Sequence, residues 1–170
     1  LPYLPYTNLD SYSVCGGEVG VQARWNNGFS ARFTYAYTKE QLAKDKDGNT
    51  INNQYIPARE HAINARVDYD HQFTKHYGLN IGLSGRYLSG VENVEYKNYY
   101  NVSEGTLTVS YPAYTIWKLS LVQRIGKAVK VNAALDNLFG YKPKYHYLNS
   151  PITDGVNLQV GLSVDIDKLF

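Results

Sequence analysis

The sequence predicts an all-β protein, an antiparallel transmembrane β-barrel to which this chain contributes about seven strands. Several segments alternate apolar and polar residues, a pattern typical of strands with one apolar and one polar face. The connections between these segments are alternately short and long, as in bacterial outer-membrane barrels. Tyrosine, which is favoured in strands and at membrane interfaces, accounts for 17 of the 170 residues.

The composition excludes several other classes. A mean hydropathy of -0.41, without an apolar run of about 18 residues, excludes a helical membrane span but not barrel strands. The net charge of +2 is too small to indicate nucleic-acid binding. The single cysteine, Cys15, excludes an internal disulfide and a cysteine-cluster metal site. The chain starts at Leu1 without a signal peptide, so we expect that an amino-terminal part is missing.

Four strands are predicted in the first half of the chain. Residues 1–11 contain two prolines and no periodicity, and we expect a loop there. Alternation begins at Glu18 and resumes after Asn26-Asn27-Gly28, whose residues suit a tight hairpin turn. A long polar loop over about 39–59 separates the first two strands from the next two. The predicted strands cover residues 18–25, 29–38, 63–73 and 77–87.

Three more strands are predicted in the second half. A loop over about 89–112 precedes the fifth strand, at 115–124, and Gly126-Lys127 forms the turn to the sixth, at 129–135. A third loop over about 140–153 leads to a final strand that we expect to continue to Phe170. Its apolar face comprises Val156, Leu158, Val160, Leu162, Val164 and Ile166, and its polar face comprises Asn157, Gln159, Gly161, Ser163, Asp165 and Asp167.

The connection lengths predict an orientation in the outer membrane of a Gram-negative bacterium. Short turns belong in the periplasm and long loops outside, which places the carboxy-terminus in the periplasm. Aromatic residues flank the short turns, and they would form the periplasmic aromatic girdle. The predicted girdle comprises Trp25, Phe29, Phe73, Tyr77 and Phe170.

Alternation also predicts which residues face lipid. An Arg or Lys facing lipid at the bilayer midplane costs about 2–4 kcal/mol, so the charged face must be the lumen. The predicted lipid-facing residues are Leu79, Ile81, Leu83, Leu119, Leu121, Val160, Leu162 and Val164. The predicted luminal charges, expected to form a cross-strand ionic lattice that also contacts a plug, are Arg24, Arg32, Arg66, Asp68, Asp70, Arg86, Lys118, Arg124, Lys130, Asp165 and Asp167.

An odd number of strands predicts that the chain is only part of a barrel. Single-chain bacterial barrels have an even strand number. Seven strands alone would leave two unpaired edges in lipid, where each backbone polar group needs an internal partner. We therefore interpret the chain as the carboxy-terminal portion of a larger barrel.

Four segments resemble TonB-dependent receptors of the outer membrane. Gly17-Glu18-Val19 is similar to their Gly-Val-Glu region, with the last two residues exchanged, and Tyr111–Trp117 resembles the lead into their third-last strand. Asp136–Tyr141 contains their Asn-Leu-Phe motif, and the terminal Phe170 matches their assembly signal. The resemblance implies a 22-stranded barrel plugged by an amino-terminal domain that is absent from this chain, consistent with the plugged class of large barrels.

The resemblance also implies a function and partners. Such receptors import scarce nutrient chelates of the haem, siderophore or cobalamin type with energy from the inner membrane. The expected partners are outer-membrane lipid, the remaining barrel and plug in the same parent chain or a second fragment, TonB through the plug, and a surface lipoprotein. Two alternatives stay open at this point: a passive outer-membrane porin or channel, and a soluble β-sandwich binding module.

Candidate ligand-binding residues lie at or near the predicted exterior loops. Imidazole can ligate haem, and tyrosine rings can stack on an aromatic ligand. These candidates are His61, Tyr96, Tyr99, Tyr100, Tyr145, His146 and Tyr147. The alternative is that the tyrosines form an interface belt or pack loop on loop. His71 and His76 lie beside a short turn, and we assign them no ligand role.

No catalytic residues, cofactor or metal site are predicted. The segment Asp45–Thr50 partly matches a calcium loop, but Thr50 occupies the position of the required glycine and the bidentate glutamate is lacking. No nucleophile, base and orienting group can be assembled from the pattern, so we predict that the chain is not an enzyme.

Overall fold

The computed structural model describes residues 13–41, 58–98, 100–143 and 155–168. Within these ranges the chain forms β-strands and two short 3-10 helices, at Val102–Glu104 and Ile166–Lys168. No helix in the described ranges is long and apolar enough to cross a membrane. The strands are β1 (Ser13–Arg24), β2 (Phe29–Gln41), β3 (His61–Thr74), β4 (Tyr77–Leu88), β5 (Val91–Tyr96), β6 (Thr106–Tyr111), β7 (Tyr114–Ile125), β8 (Val129–Asp136) and β9 (Asn157–Val164).

Seven of the strands form one antiparallel sheet in the order β1-β2-β3-β4-β7-β8-β9. The predicted all-β antiparallel fold and the predicted number of strands are therefore confirmed. This seven-stranded sheet is here named the wall. Tight turns join β1 to β2, β3 to β4 and β7 to β8, and all three lie at one end of the sheet, here named the turn end. The long connections leave from the opposite end, here named the loop end.

The polar face of the sheet is built from residues that the register aligns across all seven strands. Because side chains alternate between faces, aligned residues point to the same side. One complete row contains only polar residues: Gln22, Arg32, Arg66, Ser84, Lys118, Asp136 and Asn157. Of the charges predicted to line the lumen, all except Asp165 and Asp167 lie on this single face of the sheet.

The apolar face contains all eight residues predicted to face lipid. Leu83 pairs with Leu119 and Ile81 pairs with Leu121, while Leu121 and Val160 both pair with Ala133. Leu79, Leu162 and Val164 lie in adjacent rows of the same face. The register places all eight residues on the same face of the sheet, and their contact with lipid remains a prediction.

Glycine in β4 allows side chains of neighbouring strands to cross over it. A Cβ at Gly82 would lie 2.5–2.7 Å from side-chain atoms of Asp68, Arg66 and Ser120. A side chain there would displace the ends of these three side chains, including the ion pair between Arg66 and Asp68, so glycine is favoured at this position. On the apolar face, the Trp117 ring covers Gly85 in the same manner.

A continuous band of rings lies at the turn end of the apolar face. Phe29 and Tyr69 have ring centroids 4.7 Å apart, and successive contacts join Tyr69 to His71, His71 to Phe73 and Phe73 to Tyr77. This band contains three members of the predicted girdle and adds Tyr69 and His71. Of the other two members, Trp25 begins the first tight turn and is half exposed, and Phe170 lies outside the described residues.

The structure differs from the predicted strand limits at both ends of the sheet. β1 starts at Ser13 rather than Glu18, because it stays paired with β2 as far as Gln41. β9 ends at Val164, whereas the alternation predicted a strand to Phe170. Its end coincides with a hydrogen bond from Asp165 N to Ala128 O, of 2.8 Å, and a 3-10 helix follows. Asp165 and Asp167 therefore do not lie on a strand face as predicted.

The connection predicted as a loop over 89–112 contains an additional hairpin. β5 and β6 pair antiparallel from Val91 with Tyr111 to Tyr96 with Thr106, and neither pairs with the main sheet. Both strands are rich in β-branched residues, which favour extended backbone. Gly105, with a φ of 83°, closes the hairpin at the start of β6.

Candidate functional site

A concavity of about 410 Å³ on the polar face is the first candidate site. Its size lies within the range of pockets that hold small molecules. Four cationic side chains, Arg32, Arg66, Arg86 and Lys118, line it beside one carboxylate, Asp136. The remaining lining residues are Thr34, Asn64, Ala65, Ser84, Gly85 and Ile116.

Ion pairs on the polar face neutralise the positive charge of some of these side chains. Arg66 Nη2 lies 2.5 Å from Asp68 Oδ1, and Lys118 Nζ lies 2.8 Å from Asp136 Oδ1. Nearer the turn end, the Arg124 guanidinium binds both carboxylate oxygens of Asp70, at 2.7 and 3.0 Å, and so links β7 to β3 across β4. Each partly exposed pair contributes about 0.2–1 kcal/mol, so their main effect is to fix side-chain directions.

A cation and two tyrosines form a second cluster at the loop end. The Arg59 guanidinium lies 4.8 Å from the centre of the Tyr114 ring, a cation–π distance. Tyr114 stacks on Tyr141, with ring centroids 5.1 Å apart. Arg59 also donates hydrogen bonds to the carbonyls of Ser89 and Pro112, the latter at 3.0 Å. These contacts hold together three connections that are distant in sequence.

The side chain of Asn137, from the Asn-Leu-Phe motif, links the end of β8 to the residues before β9 by hydrogen bonds. Its side chain is buried, and its backbone has a φ of 52°. Its Nδ2 donates to Tyr141 O at 2.8 Å and to Gly155 O at 3.1 Å, and its Oδ1 accepts a hydrogen bond from Tyr141 N at 2.8 Å. The motif therefore has a structural role at the beginning of the third long loop.

His61, a predicted ligand residue, lies on the apolar face rather than the polar face. It is the first residue of β3 and is aligned with Tyr37. Its Nδ1 is hydrogen-bonded to the Tyr35 hydroxyl at 2.8 Å, and its ring lies 5.3 Å from that of Tyr37. These contacts engage Nδ1 of His61 in a belt of rings with Tyr35 and Tyr37, and the ligand role of His61 remains a prediction.

The carboxylate next to His61 is also paired. Lys39 Nζ lies 2.5 Å from Glu60 Oε1 in an exposed ion pair at the loop end. The hydrogen bond from Lys39 holds the pKa of the Glu60 carboxyl below its ordinary value. The ion pair therefore favours the ionised form of Glu60, beside the belt that His61 forms with Tyr35 and Tyr37.

The other predicted ligand residues belong to segments away from β3 in the sequence. Tyr96 ends β5, and Tyr100 lies in the β5–β6 connection with its side chain fully exposed. Tyr99, Tyr145, His146 and Tyr147 lie outside the described residues. Across the described ranges, no group of three or more His, Cys, Asp or Glu side chains is arranged to hold a metal ion.

Replacing His61 by phenylalanine should leave ligand binding by the complete receptor unchanged. The ring would remain in the aromatic belt, and only the hydrogen bond to Tyr35 would be lost. We expect a loss of about 0.5–1.5 kcal/mol in the free energy of unfolding. Tyr35→Phe should cause a loss of similar size, because it removes the same bond. A marked fall in ligand affinity for His61→Phe alone would support the ligand role of His61.

Sequence reasoning missed Arg59, Tyr114 and Tyr141. The cluster joins residues that precede β3, begin β7 and follow β8, and no periodicity relates these segments. The sequence did contain one usable signal, because Tyr114 has the same parity as Lys118 in the alternation of its strand and therefore belongs to the polar face.

Comparisons with known proteins agree with this architecture. The model of the family described as "TonB dependent receptor-like, beta-barrel" matches residues 2–138. No curated protein sequence gives a significant match. Among solved structures, FpvA of P. aeruginosa in a complex with ferric pyoverdine has a TM-score of 0.66 at 15% identity, over 90% of this chain and 19% of that one.

Two further structures share the fold. FpvAI in its complex with pyocin S2 has a TM-score of 0.64 at 13% identity, over 90% of this chain and 19% of that chain. The FrpB iron transporter of Neisseria meningitidis has a TM-score of 0.62 at 18% identity, over 90% of this chain and 23% of that chain. The present chain thus spans about a fifth of the length of these proteins.

Proposed function

The chain belongs to the TonB-dependent receptor family, and on this basis we propose that it forms part of an outer-membrane active transporter that imports a scarce nutrient chelate. The family match over residues 2–138 carries the proposal. The proposed cargo is a chelate of the haem, siderophore or cobalamin type. Two of the similar structures support it in general terms, because one is a complex with a ferric pyoverdine and the other is an iron transporter.

The two edges of the sheet support a place within a larger barrel. In the described ranges β1 pairs only with β2, and β9 pairs only with β8. Unpaired backbone groups at either edge would be costly in lipid. We propose that the remaining strands of the parent barrel supply both missing neighbours, with this chain as the carboxy-terminal portion. A plug would fill the lumen and couple to TonB, and a surface lipoprotein is a further proposed partner.

Uptake measurements on the complete receptor test this function. The receptor would be expressed in a Gram-negative host with and without TonB, and given iron-labelled siderophores, haem and labelled cobalamin. We expect accumulation of at least one chelate only when TonB is present. Equal accumulation without TonB would identify a passive channel instead. Recovery of the expressed chain as a soluble monomer without detergent would favour a β-sandwich module.

A further inference from the structure

We propose that the transported ligand is an anion and that Arg32 and Arg86, on the polar face, bind its negatively charged oxygens. This proposal deepens the proposed function and rests on it. The polar face must turn toward the lumen, because its charges cannot be placed in lipid at an acceptable cost. A ligand that crosses the barrel passes through the lumen, of which this face forms one part.

The concavity has an excess of positive charge. Of its four cationic side chains, Arg66 is paired with Asp68 and Lys118 with Asp136. Arg32 and Arg86 have no carboxylate within ion-pair distance in the described part of the chain. Arg32 Nη2 donates only to the neutral Gln22 Oε1, at 3.2 Å. The two guanidinium groups thus leave an excess of two positive charges in one concavity.

The two arginines lie in successive rows of the sheet, between its middle and the loop end. Arg32 and Ser84 belong to the same row, and Arg86 lies one row nearer the loop end. The following row contains Leu88 and Tyr114, and Arg59 stacks on the Tyr114 ring there. Cationic groups therefore follow one another from the loop end toward the middle of the wall, along the direction of entry.

The chemistry of guanidinium indicates the class of ligand. Its planar group of N–H donors matches carboxylate, catecholate and phosphate oxygens and stays charged at any physiological pH. Field lines from like charges concentrate in a cleft with low-dielectric walls, which raises the local concentration of anions. An excess of two charges best suits a ligand that presents at least two anionic oxygens. A neutral or cationic chelate would leave both guanidinium groups without compensation.

Binding measurements on the purified complete receptor test the proposal. The anionic probes are ferric citrate, haem and a ferric tris-catecholate, and the neutral and cationic probes are cyanocobalamin and ferrioxamine B. We expect the tightest binding for an anionic probe, with an affinity that falls as salt is added. Tightest binding of a neutral or cationic probe, or no binding of any anionic probe, would overturn it. Because binding requires no TonB, failure of energised uptake would be a separate result.

Matched variants then assign the effect to the two arginines. Arg32→Gln combined with Arg86→Gln should weaken binding of the anionic probe by about 10-fold or more. The double lysine variant, which keeps both charges, should recover most of the affinity. Lys130→Gln is the control, because Lys130 is also on the polar face but lies near the turn end, outside the concavity. We expect it to change affinity by less than about 2-fold.

A plug carboxylate could use the same chemistry, and the variants distinguish it. If Arg32 and Arg86 pair with the plug, the double Gln variant would lower the melting temperature of the receptor and expose the plug to protease. If they bind the ligand, melting temperature and protease protection should match those of the Lys130→Gln control. Lost stability with unchanged ligand affinity would overturn the proposal.

Discussion

Leu121→Arg should prevent assembly of the complete barrel, whereas Val122→Arg should be tolerated. Leu121 is aligned with Ile81 and Ala133 on the apolar face. An arginine facing lipid near the bilayer midplane costs about 2–4 kcal/mol, a large part of the stability of a marginal fold. Val122, the next residue, is aligned with Asn80 and Asn132 on the polar face, where a charge keeps its solvation or finds a partner.

The fraction of folded receptor in isolated outer membranes measures this difference. The two variants introduce the same side chain at adjacent positions of one strand, so strand propensity and depth are nearly matched. We expect folded receptor close to the wild-type amount for Val122→Arg and little or none for Leu121→Arg. Equal amounts for both would mean that the apolar face does not contact lipid.

Asn137→Ala should destabilise the complete receptor by about 2–4 kcal/mol. The change removes three hydrogen bonds of a buried side chain, each worth about 0.5–1.5 kcal/mol. It also places alanine at a φ of 52°, where asparagine is tolerated better than most residues. The measurement is the free energy of unfolding in denaturant.

A second substitution separates the two causes. Asn137→Gly removes the same hydrogen bonds but accepts the backbone angle, so it should be less destabilising than alanine by about 1 kcal/mol. Asn137→Asp keeps the acceptor for Tyr141 N and loses the donors to Tyr141 O and Gly155 O. If Asn137→Ala lowers the free energy of unfolding by less than about 0.5 kcal/mol, the side-chain hydrogen bonds of Asn137 are not needed for stability.

Alternation along the strands predicted most of the wall. It identified the seven strands and assigned residues such as Leu83, Leu119 and Lys118 to their faces. This was possible because apolar residues recur at every second position of a strand that has one apolar face. The same signal also gives the face of His61. Residues 61, 63 and 65 have equal parity, so His61 continues the apolar face of Ile63 and Ala65. Its ligand role, which rests on its position near a loop, remains a prediction.

Features that depend on distant contacts could not be predicted in this way. The alternation of the last strand continues in the sequence beyond Val164, but its ladder pairing with β8 stops there. The Arg59–Tyr114–Tyr141 cluster exists only because the sheet brings three connections to one end. The charge excess at Arg32 and Arg86 could not be predicted either. Only the strand register shows which cationic side chains lie beside a carboxylate.

The β5–β6 hairpin leaves the wall between two residues that are themselves neighbours. Leu88 at the end of β4 and Tyr114 at the start of β7 are directly paired. Residues 89–113 therefore form an excursion whose length does not affect the register of the wall. Apart from its ends, where the carbonyls of Ser89 and Pro112 bind Arg59, insertions, deletions and surface changes there should cost the barrel little, since surface connections tolerate length changes. Sequence divergence among close relatives should therefore concentrate in the hairpin and its turn.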